Sequence, residues 1–237
     1  RARDYQGARW SLRKAADLVP TNKDVLAALV RLEIIVREHD QARARLPQVA
    51  ALPNGPALAE RLRGDIELSL NRFDEAVKAY DLAAELGGNN SELVLHRYRS
   101  RRLAGDVAGG IAQLDVWLRE HGDDRVVLRQ RGTALLAAGR HKEAVRDFER
   151  VLKKAPRDVL VLNNLATLLG PTNPDRALLM ARRARDLLPR DGAVADTLGW
   201  LLLKAGEHER ALELLRDANK LAGGVPELRY HLGAALH

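Results

Sequence analysis

The chain contains no cysteine among its 237 residues. That excludes disulfides, thiolate metal sites and a cysteine nucleophile; it is compatible with an oxidising or a reducing compartment, with a lean towards the cell envelope. Nowhere is there an apolar run of about 18 residues, so this segment is not expected to insert into a membrane. No glycine-rich phosphate loop follows a strand, no nucleophile elbow is present, and no carboxylate pair recurs in a setting that would raise a pKa. The expectation is a non-catalytic chain with no cofactor. Interruptions are scarce as well: nothing richer than short Pro/Gly stretches at 53–56 and 170–174 breaks the sequence, and 1–237 reads as one continuous domain. The chain starts at Arg1 without methionine and stops at His237 inside a predicted helix. It is read as a piece of a longer protein, with any signal peptide or lipid anchor lying outside it.

What is present is a repeat with a period of about 34 residues. It is clearest at Ala144, Phe148, Val151 and Pro156, preceded by Gly132 and Leu128. Stepping the register in both directions gives units 23–56, 57–90, 91–124, 125–158, 159–191 and 192–225. A half repeat, 1–22, precedes them and a half repeat, 226–237, follows. The small-residue position carries Ala42, Ala76, Gly110, Ala144, Ala177 and Ala211; four residues later stand Leu46, Tyr80, Leu114, Phe148, Ala181 and Leu215.

Two amphipathic helices joined by a tight turn cannot bury their apolar faces alone, so such pairs must stack. Gly64, Gly132, Gly199 and Gly233 fall at the eighth position, where a side chain would hold two helices apart. Gly105, Gly139 and Gly206 follow the first helix as left-handed caps, and Pro20, Pro156 and Pro189 stop the second. The third unit departs from the pattern, with Arg97, Tyr98 and Arg101 at positions that are usually leucine, small, and aromatic or aliphatic. Pattern and spacing resemble the tetratricopeptide repeat. The resemblance implies an all-α fold, a right-handed superhelical solenoid of stacked helix hairpins, and function through binding in a concave groove.

The formal charge of +7 comes mainly from arginine, which pairs bidentately with carboxylate, sulfate, phosphate or uronate. A solvated charged face is the simpler reading of the same excess. The histidines do not form a metal site: His39, His141 and His208 share the seventeenth position, at the turn between helices, and lie a repeat or more apart. His96 and His231 share the sixth position, in distant units.

The groove positions carry Arg31, Arg61, Arg99, Arg102 and Arg129 in the earlier units, and Asn163, Thr167, Asp196 and Trp200 in the later ones. One half is thus cationic and the other neutral and partly aromatic. Adjacent arginines would grip an extended, acidic peptide or an anionic polysaccharide; alternatively they pair with carboxylates of the next helix. Trp200, at the ninth position, is expected to be partly exposed and to serve as a hot spot or a stacking platform. Trp10 and Trp117 read as packing. No repeated polar pair at fixed groove positions offers a base code, which argues against nucleic acid.

The last third carries a further resemblance. Asn163-Asn164-Leu165-Ala166, Val194-Ala195-Asp196-Thr197-Leu198-Gly199-Trp200, Leu212-Glu213-Leu214-Leu215 and Pro226-Glu227-Leu228-Arg229-Tyr230-His231-Leu232 resemble the C-terminal repeats of bacterial tetratricopeptide lipoproteins associated with exopolysaccharide and exosortase (PEP-CTERM) systems. Over residues 155–237 this implies a protein–protein interaction scaffold beside polysaccharide assembly or protein sorting, periplasmic or outer-membrane-associated. Direct binding of anionic polysaccharide and a cytoplasmic regulatory or co-chaperone module stand as alternatives; for the latter, the lysine and asparagine clamp for a terminal carboxylate is not evident.

Overall fold

A computed structural model describes residues 5–237, and the described residues form fourteen α-helices. The first helices of the repeats are α2 (Lys23–Ile35), α4 (Gly55–Ser69), α6 (Ser91–Leu103), α8 (Arg125–Ala137), α10 (Val159–Leu169), α12 (Gly192–Lys204) and α14 (Pro226–Leu236). The second helices are α1 (Tyr5–Leu18), α3 (His39–Ala50), α5 (Phe73–Ala83), α7 (Val107–Glu120), α9 (His141–Lys154), α11 (Pro174–Leu187) and α13 (His208–Leu221). Six of the seven first helices begin at the residue the register assigns; α4 starts two residues early, at Gly55 with Pro56 behind it. A wider π-type turn, Ala84–Gly88, prolongs α5. The architecture is all-α and solenoidal: each first helix from α2 to α12 packs on the second helix that follows it, and α14 packs on α13 and α12.

The repeat junctions are fixed by side-chain caps the 34-residue pattern does not describe. Asn22, Asn90, Asp124, Asp158 and Asp191 each stand immediately before a first helix and accept from backbone N–H groups of its first turn. Asn22 Oδ1 lies 3.0 Å from the Asp24 amide, and Asp191 Oδ1 lies 3.0 Å from that of Val194. Each such cap stabilises by about 1 kcal/mol. At the other end of the first helix, Gly105, Gly139 and Gly206 take positive φ, as expected of left-handed caps. Arg37 and Asn71 occupy the same place in the first two repeats at φ 64° and 60°, where a Cβ is disfavoured.

The chain divides into two compact units, one ending at Gly122 and the other running from Asp123 to His237. The division falls between the third and fourth repeats. In the first unit, Leu26, Leu29, Val30, Val49, Leu62 and Ile66 form a fully buried cluster, and Tyr80 packs with Ala76, Ala83 and Leu93. In the second, Leu128, Leu135, Phe148, Leu162 and Leu165 are fully buried. Helix α9 shows how the sequence builds this: Ala144, Asp147, Phe148 and Val151 make one buried stripe at helical spacing, with charge on the opposite face.

The eighth-position glycines are close-approach sites. A Cβ on Gly132 would come within 2.6 Å of Phe148 Cε1, and one on Gly199 within 2.8 Å of Leu215 Cγ. The third repeat inverts the sizes. Tyr98 stands at the eighth position and the glycine is on the facing helix, where a Cβ on Gly110 would lie 3.1 Å from Tyr98 Cδ2. The sequence departure at Arg97, Tyr98 and Arg101 therefore leaves α6 intact, with bulk exchanged across the pair. One packing expectation is corrected: Trp10 is 64% exposed, with Lys14 Nζ 4.7 Å from its ring centroid, because α2 covers only the side of α1 that carries Ala16 and Leu12. Trp117 stacks on His121 at 3.7 Å.

Candidate functional site

The groove arginines of the first unit divide by their partners. Arg61 pairs with Glu92 of the next repeat, while Arg31, Arg99 and Arg102 are exposed and their side chains make no hydrogen bond or ion pair with a described residue. The two arginines that broke the repeat pattern hold one carboxylate between them: Arg97 Nε lies 2.6 Å from Asp81 Oδ1 and an Arg101 amino group 2.7 Å from Oδ2. Glu33, fully buried, receives Arg45 Nε at 2.9 Å on both oxygens. Tyr80 donates to Asp65 at 2.6 Å, and burial, with the Asp65 charge and hydrogen bond added, pushes its phenol well above the ordinary value. Most cationic bulk in this unit is matched internally.

In the second unit Arg129 pairs with Asp158 at 3.2 Å. It lines a shallow recess of about 380 Å³ with Arg125, Val126, Ala155, Pro156 and Arg157. Arg131 grips the buried Asp147 through both oxygens, at 2.7 and 2.6 Å.

A larger groove of about 640 Å³ lies in the same unit, walled by α10, α11, α12 and α14. Its apolar surface comes from Pro171, Pro174, Leu178, Trp200 and Leu201; its polar surface from Thr167, Asp175, Asp196, Thr197, Lys204, Glu227 and His231. The short turn Gly170-Pro171-Thr172-Asn173-Pro174, where this repeat is one residue shorter, forms one lip. Asn173 caps α11 there by accepting from the Arg176 amide at 3.2 Å.

Trp200 is half-buried and is the centre of a ring cluster. His231 stacks on it at 4.2 Å with planes 20° apart, Tyr230 lies tilted at 6.1 Å, and Lys204 Nζ sits 4.4 Å from its centroid. His231 Nδ1 is 2.8 Å from Asp196 Oδ2. Asp196 is only 6% exposed, and its other oxygen, Oδ1, has no hydrogen-bond partner. Burial pushes its carboxyl above the usual value; the hydrogen bond and charge of His231 oppose that, and Glu227 adds to it. Asn163, at the same register position one repeat earlier, also has an enclosed Oδ1 without a partner.

Of the residues predicted from the sequence, the structure brings Thr167, Asp196 and Trp200 together at this groove. Asn163 lies outside the lining, and the five arginines lie elsewhere. The pattern missed His231, Lys204, Asp175 and Glu227. His231 was legible in principle, since the fifth position of one first helix and the sixth of the next fall side by side when α12 packs on α14. His39, His141 and His208 each open a second helix, and among the described residues no three metal-ligating side chains converge.

Comparison with known proteins identifies the type of repeat. Models described as tetratricopeptide repeat match residues 28–91 and 125–168. Tetratricopeptide repeat protein 36 of Bos taurus is 34% identical over 134 residues, 53% of this chain and 67% of that protein; the Homo sapiens form is 32% identical over 160 residues, 63% and 80%. The chain belongs to the tetratricopeptide repeat family. Among solved structures, a chain of the APC/C hetero-tetramer Cut9–Hcn1 superposes with a TM-score of 0.72 at 15% identity, over 99% of this chain and 46% of that one. YrrB, described as a TPR protein with an unusual peptide-binding site, gives 0.56 at 19% identity over 83% and 97%. At these identities the likeness is one of fold. Tetratricopeptide repeat proteins are generally non-catalytic scaffolds for protein–protein interaction, and among the described residues no helix is long and apolar enough to cross a membrane.

Proposed function

We propose that this tetratricopeptide scaffold binds an extended peptide segment of a partner protein in the groove around Trp200. The observation that carries the reading is the half-buried Trp200, flanked by prolines and leucines and set among polar groups, with one buried acceptor, Asp196 Oδ1, left over. A rigid aromatic anchor in a preformed trough is what concentrates binding energy at an interface, because little is spent on ordering it. YrrB, a structural neighbour with a peptide-binding site of its own, supports this class of ligand. The test is selection from a random peptide library on the immobilised chain, followed by fluorescence anisotropy of the recovered sequences. Trp200→Ala is expected to weaken binding by at least about tenfold, with unchanged helicity. Recovered peptides that bind Trp200→Ala as tightly as the parent would sink the reading.

The setting we propose is an envelope pathway for exopolysaccharide biosynthesis, export or associated protein sorting. It is supported by the resemblance of residues 155–237, and the neighbouring genes and any leader in the full open reading frame test it. A second reading, capture of an anionic polysaccharide, is favoured by one feature: Arg125, Arg129 and Arg157 surround the smaller recess, where Asp158 is the one carboxylate. Polygalacturonate binding that Arg125→Glu and Arg157→Glu abolish, with Trp200→Ala silent, would move the function there.

A further inference from the structure

The excess arginine of this chain suggests an acidic ligand, but the Trp200 groove has the opposite local charge. Three carboxylates, Asp175, Asp196 and Glu227, line it against a single lysine, Lys204. Neither Asp175 nor Glu227 has an ion-pair partner among the described residues, whereas carboxylates elsewhere, Glu33, Asp81 and Asp147 among them, are held by arginine. Asp196 goes further: it is more than nine-tenths buried in the groove wall, hydrogen-bonded on one oxygen only, and Oδ1 is left without a donor. A buried acceptor without a partner costs about 1–3 kcal/mol, which a donor supplied by a ligand would return. The net charge of +7 does not overrule this, because exposed charges farther away than about 8 Å are largely screened at physiological salt.

We infer that the preferred occupant of this groove is a basic segment: a peptide that lays an aliphatic residue on Trp200 and directs a lysine or arginine side chain to Asp196, with Asp175 and Glu227 extending the acidic lining. Lys204, poised over the Trp200 ring, is the group such a ligand displaces, its aliphatic residue taking the place of the lysine on the aromatic face while its cation meets Asp196. His231 orients the Asp196 carboxylate by holding Oδ2. This inference rests on the peptide-binding reading of the groove and adds the sign of the ligand.

The two are separated by three fluorescein-labelled decapeptides, alternating leucine with arginine, glutamine or glutamate, titrated by anisotropy at physiological salt. The arginine peptide is expected to bind about tenfold tighter than the glutamine peptide, and the glutamate peptide weakest. Asp196→Asn and Glu227→Gln, which keep shape, should bring arginine and glutamine peptides to within about twofold, while Trp200→Ala weakens both alike. Equal or tighter binding of the glutamate peptide, or an arginine preference untouched by Asp196→Asn and Glu227→Gln, overturns the basic-ligand inference and leaves the groove standing. If no peptide responds to Trp200→Ala, or none binds up to about 1 mM, both fall. Circular dichroism melts of each variant confirm folding.

Discussion

The two compact units hold similar helices and spend their charged residues differently. In the first, carboxylates at the inner surface are matched: Glu33 by Arg45, Asp81 by Arg97 and Arg101, Glu92 by Arg61. In the second, Asp147 and Asp158 are matched by Arg131 and Arg129, but around Trp200 Asp196 meets only His231, and Asp175 and Glu227 have no ion-pair partner among the described residues. The difference teaches that arginine count is a poor guide to a binding surface. A cation paired across a repeat interface is part of the scaffold, and the surface available for recognition is where pairing stops.

The largest expected effect tests the packing common to both units. Phe148→Ala removes a fully buried ring seated against Gly132 and should cost about 3–5 kcal/mol in urea denaturation. A cost below about 1 kcal/mol would mean that the fourth repeat collapses around the loss. Next comes the matched charge of the first unit. Glu33→Gln strands Arg45 beside a fully buried site and should cost about 2 kcal/mol. Glu92→Gln, acting on a carboxylate 62% exposed, should cost under about 1 kcal/mol and lose even that in high salt. Equal effects from the two would break the distinction between scaffold pairs and surface pairs. At the turns, Arg37→Gly should stabilise by about 0.5–1 kcal/mol, since glycine tolerates the positive φ that Gly139 already adopts in the fourth repeat.

The smallest effect sharpens the second unit. The Asp196 carboxyl is raised above its unfolded value by burial, so ionising it opposes folding. Wild-type stability should therefore fall as pH rises from the ordinary carboxylate range through the folded pKa of Asp196, and that penalty is fully present at neutral pH. Asp196→Asn should melt at or slightly above the wild type at pH 7, with the difference shrinking as the pH is lowered towards the ordinary carboxylate range. The hydrogen bond and charge of His231 oppose the shift, and Glu227 adds to it. A variant clearly less stable at neutral pH would show that the bond to His231 outweighs burial.

Much of the fold was legible because the spacing of small and large residues repeats. The interval from Gly132 to Phe148 reports a helix crossing, and Gly139 and Pro156 report helix ends. Even α6 follows the register, although Tyr98 and Gly110 exchange their sizes, since what the crossing needs is one large and one small partner in either order. The candidate site was legible only in part. Trp200, Asp196 and Thr167 lie on predicted groove positions, but the reading grouped all five arginines together as one cationic lining, and the structure divides them by their partners. Arg61 and Arg129 both stand at the fifth position and reach Glu92 and Asp158 at the start of the next first helix, whereas Arg31 and Arg99, at the ninth, and Arg102, at the twelfth, have no such carboxylate partner among the described residues.

By itself, then, the sequence determined the helix boundaries, the hairpin pairing and the solenoidal architecture, because helical periodicity, glycine caps and asparagine or aspartate N-caps act within a repeat or between adjacent ones. Only the tertiary structure decided which charges are spent and which remain. Ion pairing and desolvation depend on distances across the packed helices, so Asp196 beside His231, with one acceptor left over in an acidic groove, appears only once α12 and α14 are laid together.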